Sequence, residues 1–381
     1  SRKTVCKDII PCILQCHNQE TTLVMLDLDW FSENFDSQGN PISSGAIKKA
    51  QHAKKSDDLA ALISASSEGD LKKVISICEL QPQLKNQMHN GFSALHAAIQ
   101  RDRMNVVGYL LSLQDTKLNL ETRGLHLTPF LLACSEGKLE IAEVLLKHLH
   151  DLKLVETEVC RKTPDDHNAL HLACFKGHLT IVKFLLGVKQ APPPLFDINC
   201  PTYDGQTALM FAVAANHVEV VKYLCSLEEI DILSSTESGQ NCLHKAAYLG
   251  YLELVAFFTE KNLIPVTGTT PEGMNCLHFA AMGGRKEVVR YILLSGKLDP
   301  QITTSTGQNA LHKACAGGHH ALVFLLLGVY AQQQQQPAGV VGRPARGEAE
   351  EGRGRSSNGS GAAYTDAADT QGLTPLMLAA G

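Results

Sequence analysis

Long hydrophobic runs are missing from this sequence of 381 residues. The longest apolar stretch, Ala321 to Tyr330, is too short to cross a bilayer, so we expect no membrane insertion. The net charge is only −5, which gives the whole chain no attraction to nucleic acid or to acidic membranes. The twelve cysteines include no Cys-x-x-Cys pair and are too sparse for a disulfide scaffold. We interpret them as reduced thiols, which predicts a cytoplasmic or nuclear protein.

Recognisable catalytic machinery is missing as well. No Ser/His/Asp set, phosphate-binding loop or pair of carboxylates has a usable context. Asp27 and Asp29 in the segment LVMLDLDW resemble the Asp-x-Asp signature of phosphatase-like hydrolases and glycosyltransferases. Those reactions need an entire α/β domain, which the following residues do not provide. The sequence therefore predicts no enzyme activity, no catalytic residues, no cofactor and no small-molecule substrate.

What the sequence does contain is one short pattern that returns many times. Its copies align on a leucine-like position, whose members are Leu95, Phe130, Leu170, Leu209, Leu243, Leu277, Leu311 and Leu376. The steps between them are 35, 40, 39, 34, 34, 34 and 65 residues. A base period of about 33 to 34 residues indicates a repeat solenoid, in which each unit is one supersecondary element.

Each position of the pattern has a physical role. Two residues before the leucine-like position, all eight copies carry a helix N-cap type, namely Ser93, Thr128, Asn168, Thr207, Asn241, Asn275, Asn309 and Thr374. Seven residues after it stand types that tolerate a left-handed helix end, namely Asp102, Gly137, Gly177, Asn216, Gly250, Gly284 and Gly318. A second amphipathic stretch follows in each copy. The spacing therefore predicts a turn, a short helix, a sharp stop and a second helix.

Copies such as GQNCLHKAA from Gly239 and GQNALHKAC from Gly307 resemble the ankyrin repeat family, whose hallmark is a T-P-L-H-x-A-A segment that closes with G-H. The resemblance implies an all-α repeat solenoid in which a β-hairpin turn and two antiparallel helices form each unit. It also implies that other proteins bind on a concave surface made of the turn tips and the exposed side of the first helices. The matching positions, our candidate partner-binding residues, are Phe175, Lys176, Tyr203, Gln206, Gln240, Tyr248, Met274, Met282 and Gln308. We expect Phe175, Tyr203, Tyr248 and Met282 to form one stripe.

Two groups of residues raise the question of metal binding. Histidines recur once per repeat at His96, His171, His244, His278 and His312. Successive repeats lie roughly 10 Å apart, too far for one ion, so we predict that each imidazole hydrogen-bonds backbone in a neighbouring turn. Cys6, Cys12, Cys16 and His17 form the tightest Cys/His group, but the absence of a Cys-x-x-Cys pair favours a helix face over a zinc site. Packing accounts for Cys134, Cys174 and Cys315 beside their neighbouring alanines. We therefore predict no metal ligands.

The repeats divide the chain into four parts. Residues 1–56 match no repeat, and within them Lys48, Lys49, Lys54 and Lys55 are either a solvated helix face or an import signal. Residues 57–327 form the array, which begins with a degenerate unit around Leu62 and Gly69. Residues 328–368 form a Gln- and Gly/Arg/Ser/Glu-rich insert that we predict to be disordered, with RNA binding as a minor alternative. Residues 369–381 begin a further unit.

Two function classes follow from the resemblance. In the first, the protein is a scaffold or adaptor that holds other proteins on the concave repeat surface. In the second, the array is the regulatory or targeting segment of a larger enzyme, a ubiquitin ligase component or a channel. The incomplete repeat at Gly381 keeps the second class open, because a lone first helix cannot bury its apolar side.

Overall fold

The computed structural model describes residues 44–187, 196–335, 368–375 and 377, and within this part of the chain the fold is all-α, with no β-strand. Residues 1–43, with Asp27, Asp29 and the Cys6 to His17 group, lie outside the described residues, as does most of the predicted insert. No helix in the described ranges is long and apolar enough to span a membrane.

The described helices come in pairs, one for the degenerate unit and one for each of the seven copies from Leu95 to Leu311. The first helices are α1 (Ser44–Glu68), α3 (Ala94–Gln100), α5 (Pro129–Ser135), α8 (Ala169–Lys176), α10 (Ala208–Ala214), α12 (Cys242–Leu249), α14 (Cys276–Met282) and α16 (Ala310–Ala316). The second helices are α2 (Leu71–Leu80), α4 (Met104–Ser112), α6 (Leu139–Asp151), α9 (Leu179–Gly187), α11 (Val218–Cys225), α13 (Leu252–Glu260), α15 (Lys286–Leu294) and α17 (His320–Gln335). A one-turn helix, α7 (Val155–Glu158), lies in the longer connection after α6.

The first helices begin where the N-cap types predict. The side chains of Ser93, Thr128, Asn168, Asn241, Asn275, Asn309 and Thr374 each accept a backbone N–H two or three residues further on. Thr207 is the exception, because its hydroxyl caps nothing and is buried without a partner. The prediction that Thr207 caps α10 through its side chain is therefore wrong, although its backbone has the extended cap conformation.

The first helices also end where predicted. All seven residues expected to stop a helix have positive φ, from 59° at Asp102 and Asn216 to 86° at Gly250. Gly69, the corresponding residue of the predicted degenerate unit, also has positive φ, of 85°. The Cβ-free backbone is needed at Gly177, where an added Cβ would collide with the His217 ring of the next unit.

The expected β-hairpins are reduced to tight turns. In the turn before α10, Thr202 and Gln206 pair through a backbone N–H and a carbonyl 2.9 Å apart, and the same pairing recurs between Thr236 and Gln240 and between Thr270 and Met274. Each arm contributes one paired residue, which is too few for a ladder. Among the described residues the isolated bridge between His89 and Phe92 is the nearest approach to a strand pair.

The chain divides into two compact units, Ser1–Gly124 and Leu125–Gly381. In the first, α1 packs on α3 and α2 on α4. In the second, the first helices α5, α8, α10, α12, α14 and α16 pack each on the next, which makes one layer, and second helices pack beside them in another. The core between the layers consists of the leucine-like residues, the small-residue pairs such as Ala246 and Ala247, and apolar second-helix residues such as Val288 and Ile292.

Two helices cross boundaries that the sequence indicated. Helix α1 runs from Ser44 to Glu68 and so spans the expected division between residues 56 and 57. Helix α17 continues to Gln335, beyond the expected start of the insert at Gly328. At the first boundary no helix-stopping residue occurs, and polar, Lys- and Ala-rich sequence extends α1. At the second, Gly328 lacks the positive φ of a helix stop, and the first glutamines after Ala331 extend α17.

Candidate partner-binding surface

The nine candidate residues lie on the turns and exposed faces of the first helices in the second compact unit. They fall into two rows and two further positions. Phe175, Tyr248 and Met282 stand five residues after the leucine-like position, at the ends of α8, α12 and α14; we call them the loop-end row. Gln206, Gln240, Met274 and Gln308 stand three residues before it, next to the N-caps; we call them the turn-end row. Lys176 is exposed beside Phe175.

The loop-end row presents large side chains to solvent. Phe175, Tyr248 and Met282 are 46%, 42% and 37% exposed, and in the unit between the first two the same position carries the half-buried Ala214. Tyr203 is far more exposed, at 84%, but it lies at a turn tip before α10, at the opposite end of the first-helix layer. The expectation of one four-residue stripe is therefore wrong, because seven or eight residues of helix separate the two places in each unit.

The turn-end row is half-buried, and two of its members are held in polar contacts. Gln308 accepts a hydrogen bond from Lys313 Nζ at 2.8 Å and donates to Asp369 Oδ2 at 2.9 Å. Gln206 accepts from Lys245 Nζ and donates to Asp204 Oδ2. Burial lowers the pKa of both lysines. Because these contacts occupy the polar groups of both side chains, Gln206 and Gln308 are less available to a partner than the loop-end row.

An aromatic cluster surrounds Phe175. The Phe211 ring of the next unit lies edge-on to Phe175, with ring centroids 6.2 Å apart. Phe211 also contacts His167 at 5.0 Å and His171 at 5.3 Å. Phe175 is exposed, whereas Phe211 and His167 are half-buried. Aromatic pairs in this edge-to-face arrangement are rigid, which suits the centre of an interface.

The turn tips add negative charge beside this cluster. Exposed carboxylates stand on four consecutive tips, at Asp165, Asp204, Glu237 and Glu272. No lysine or arginine occurs in the six five-residue turns at 163–167, 202–206, 236–240, 270–274, 304–308 and 369–373. The tip edge of the surface is therefore acidic and would attract basic groups.

The repeated histidines are structural in the way the sequence predicts. In His171, His244 and His278, Nδ1 accepts the N-cap backbone N–H while Nε2 donates to a carbonyl of the next turn, that of Cys200, Gly268 or Gln308 respectively. Burial lowers the pKa of His171 and His278 to about 4 and lowers that of His244. The neutral imidazole is needed because Nδ1 must stay an acceptor. No group of three potential metal ligands occurs within the described ranges.

A second set of links joins successive units at the other end of the first helices. The residue eight places after the leucine-like position donates back to the carbonyl of the loop-end position in the preceding unit. His178, His217 and His319 do so at 2.9 to 3.0 Å, to Ser135, Phe175 and Met282. Arg103, Tyr251 and Arg285 make the same contact. The backbone of each loop-end residue is thus fixed while its side chain stays exposed.

Sequence reasoning missed Phe211, His167 and the tip carboxylates. Phe211 occupies a register whose other members include Lys245, Phe279 and Lys313, two residues after the leucine-like position. The alternation of aromatic and cationic side chains at that register was the available signal. For the cysteines packing is confirmed, since Cys134, Cys174 and Cys315 are buried, free and of raised pKa.

Comparisons with known proteins agree with this architecture. A family model for ankyrin repeats matches three times, at residues 113–192, 188–267 and 243–337. A single-repeat model of the same family matches residues 90–123. A stretch of 72 residues is 44% identical to the probable E3 ubiquitin-protein ligase XBOS33 of Oryza sativa subsp. japonica. That match covers 18% of this chain and 13% of the relative, so the chain spans only a small part of the relative's length.

Proposed function

Because the chain belongs to the ankyrin repeat family, whose members bind other proteins and are typically non-catalytic, we propose that it is a scaffold or adaptor whose partner-binding surface is the first-helix face of the second compact unit. The observation that carries the proposal is the loop-end row. Its three members expose large side chains over a backbone that hydrogen bonds hold in place. Rigid, exposed anchors of this kind are where interface energy concentrates.

The same surface indicates the chemistry of the partner. The Phe175 and Phe211 cluster offers an apolar and aromatic anchor point, and the acidic tips lie at the other edge of the layer. A protein segment with an apolar side chain for the cluster and lysines or arginines for the tips complements both features. We propose that class of partner, and we propose no role for nucleic acid, a cofactor or a small-molecule substrate.

The proposal is tested with Phe175→Ala combined with Tyr248→Ala. We expect the partners that wild-type protein captures from lysate to be lost, with helix content unchanged by circular dichroism, because solenoid stability is spread over many neighbour contacts. The control is Leu80→Ala, which removes a still more exposed apolar side chain, 81% exposed, from a second helix. Tyr203→Ala, made separately, reports whether the turn tips take part.

The proposal fails if the double variant captures the same partners at wild-type strength. Deletion of residues 1–43, which ends just before α1, is the decisive companion experiment. Loss of capture on that deletion alone would place recognition in the flanking segment and leave the repeats as a spacer.

A second candidate is that the array targets or regulates a larger chain, such as an enzyme, a ubiquitin ligase component or a channel. The 72-residue match to a probable E3 ubiquitin-protein ligase favours it. Sequencing the full-length transcript tests it. A catalytic or membrane domain in the same reading frame would support this candidate, whereas further repeats and a stop would support the adaptor. Compartment is likewise a proposal, cytoplasmic or nuclear, to be checked by imaging a tagged full-length protein.

We also propose the domain organisation that the repeat spacing indicates, with an array at residues 57–327, an insert at 328–368 and a resumed repeat from 369. Supporting contacts join the turns on either side of the insert: Thr370 N–H donates to Thr306 O at 3.0 Å, and Gln308 Nε2 to Asp369 Oδ2 at 2.9 Å. Limited proteolysis checks the proposal. We expect the first cuts between residues 336 and 367, and cuts within the repeats before any in that segment would refute it.

A further inference from the structure

Apolar side chains are exposed on the opposite face of the second compact unit, where the second helices lie. Leu294, at the end of α15, is 83% exposed, and Phe324 of α17 is 75% exposed. Both line one groove of about 610 Å³ between these two helices. Neither residue belongs to the first-helix surface described above.

The repeat itself shows that this exposure is unusual. Phe324 stands thirteen residues after its leucine-like position, where six other units carry small or polar residues, namely Gly108, Glu143, Lys183, Lys222, Ala256 and Arg290, and only the degenerate first unit carries an apolar one, the half-buried Ile75. Leu294 stands seventeen residues after, where the others carry Ser112, Lys147, Gly187, Ser226, Glu260 and Gly328. Solenoid packing therefore requires no large apolar side chain at either register. In the free protein each of these side chains leaves apolar area in contact with water, which is unfavourable in free energy. The two lie together in a single groove.

The two helices that line the groove differ in the side chains they contribute. Helix α15 contributes Lys286, Arg290, Leu293 and Leu294, a stripe at i, i+4, i+7 and i+8 that extends over about 12 Å. Helix α17 contributes Ala321, Phe324, Leu325 and Val329, which are all apolar. The two cations thus stand beside the first half of α15 and the leucines beside the second half.

Charge decides between the occupants of such a groove. Its lining contains two cations and no carboxylate, and neither Lys286 nor Arg290 has an ion-pair partner among the described residues. A two-fold dimer through this patch would gather four cations in one interface whose lining offers no carboxylate, which disfavours a second copy. An acidic partner would pair with them. An amphipathic helix fits the remaining features, because side chains at i, i+3 or i+4 and i+7 match a groove of this length.

We propose that the groove between α15 and α17 is a second docking site, which takes an acidic amphipathic helix of a partner protein. The helix would place its apolar stripe against Leu294 and Phe324 and its carboxylates against Lys286 and Arg290. The site is independent of the first-helix surface, so the protein could hold two partners at once and act as a bridge between them.

The test uses a display library of helix-forming peptides about 20 residues long, with randomised apolar and charged positions. The library is selected on wild-type protein and counter-selected on the double variant Leu294→Ser and Phe324→Lys. These substitutions introduce residues that other units of this chain already carry at the same registers, so the fold is expected to persist, as circular dichroism would verify. Peptides that bind the first-helix surface bind both proteins and are removed by the counter-selection.

We expect the surviving peptides to carry apolar residues at helical spacing with an excess of Asp and Glu. We expect them to bind the double variant roughly tenfold more weakly or worse. On the charge-reversed protein, Lys286→Glu with Arg290→Glu, selection should instead favour Lys and Arg. Identical peptides from wild type and the double variant, or survivors without acidic bias, would overturn the proposal.

Two further outcomes also overturn it. If wild-type protein forms a dimer by analytical ultracentrifugation and Phe324→Lys abolishes the dimer, the groove is an interface between copies. If peptides bind only after residues 336–367 are deleted, the groove belongs to the chain's own segment. Failure of the Phe175 and Tyr248 variants to lose their partners would refute the proposed function and leave this result unaffected.

Discussion

The two ends of the first helices are joined to their neighbours by different means. At the turn end, the contact between units depends on particular side chains: a histidine three residues after the cap, a glutamine just before it or a lysine four residues after it. At the loop end, the acceptor is always a backbone carbonyl, and the donor is a histidine, a tyrosine or an arginine. The loop-end links therefore leave the side chain of the accepting residue free to vary, whereas at the turn end this is true of the histidine contacts but not of the glutamine contacts.

That difference explains where a binding surface can be specialised. Phe175, Tyr248 and Met282 have fixed backbones, and their exposed side chains take no part in the hydrogen bonds that link the units, so their identity can change with little effect on the fold. Gln206 and Gln308 contact the next unit through their side chains, Gln206 through Lys245 and Gln308 through Asp369, and changing them loosens that contact. We accordingly rank the loop-end row above the turn-end row as partner-binding residues.

Lowering the pH should give the largest effect on the turn end. His171 and His278 have a pKa of about 4 when folded, below the ordinary value near 6.5, because burial disfavours the charged ring. The unfolded chain therefore binds more protons between pH 6.5 and 4, and stability falls as pH falls through that window. We expect the free energy of unfolding to fall by about 1.4 kcal/mol per pH unit for each such histidine. Urea unfolding at a series of pH values measures the slope of the free energy of unfolding against pH. His278→Gln should reduce that slope by the contribution of one proton. An unchanged slope in that variant would contradict the assignment.

Replacing Gly177 by alanine should break the loop end. The residue has φ of 78°, and its new Cβ would collide with the His217 ring that donates to the Phe175 carbonyl. We expect a loss of about 1 to 3 kcal/mol in urea unfolding, from backbone strain and the displaced ring. Asn216→Gly is the control, because Asn216 has φ of 59° at the same register and an exposed side chain. If both variants are as stable as wild type, the loop-end link contributes nothing.

We expect the smallest change in stability when the two threonines at equivalent turn-end positions are replaced. Thr128 Oγ1 accepts the Leu131 N–H, whereas the buried Thr207 Oγ1 has no partner. We expect Thr128→Val to cost about 1 kcal/mol and Thr207→Val to cost nothing or to stabilise slightly, because it removes an unpaired buried hydroxyl. Chemical denaturation of the two variants side by side measures the contrast. Equal losses would show that Thr207 caps its helix after all.

The pattern predicts some features of this fold better than others, for physical reasons. Helix starts and stops follow from residue type alone, since Asn241 caps and Gly250 reverses the chain wherever the repeat places them. The loop-end links could not be predicted, because His217, Tyr251 and Arg285 share no residue type, only a register and a reach. The pattern predicts that Tyr203 and Tyr248 belong to one binding surface. It does not show that they stand at opposite ends of the first-helix layer, because that depends on the length of the first helix in each repeat.

The direction of the loop-end links bears on how the chain is made. Each donor, from Arg103 to His319, reaches a carbonyl that lies 36 to 43 residues earlier in the sequence. During synthesis that carbonyl has already left the ribosome when the donor emerges. Every completed unit is therefore a template on which the next can dock at once, and the array can assemble from its N-terminal side while translation continues.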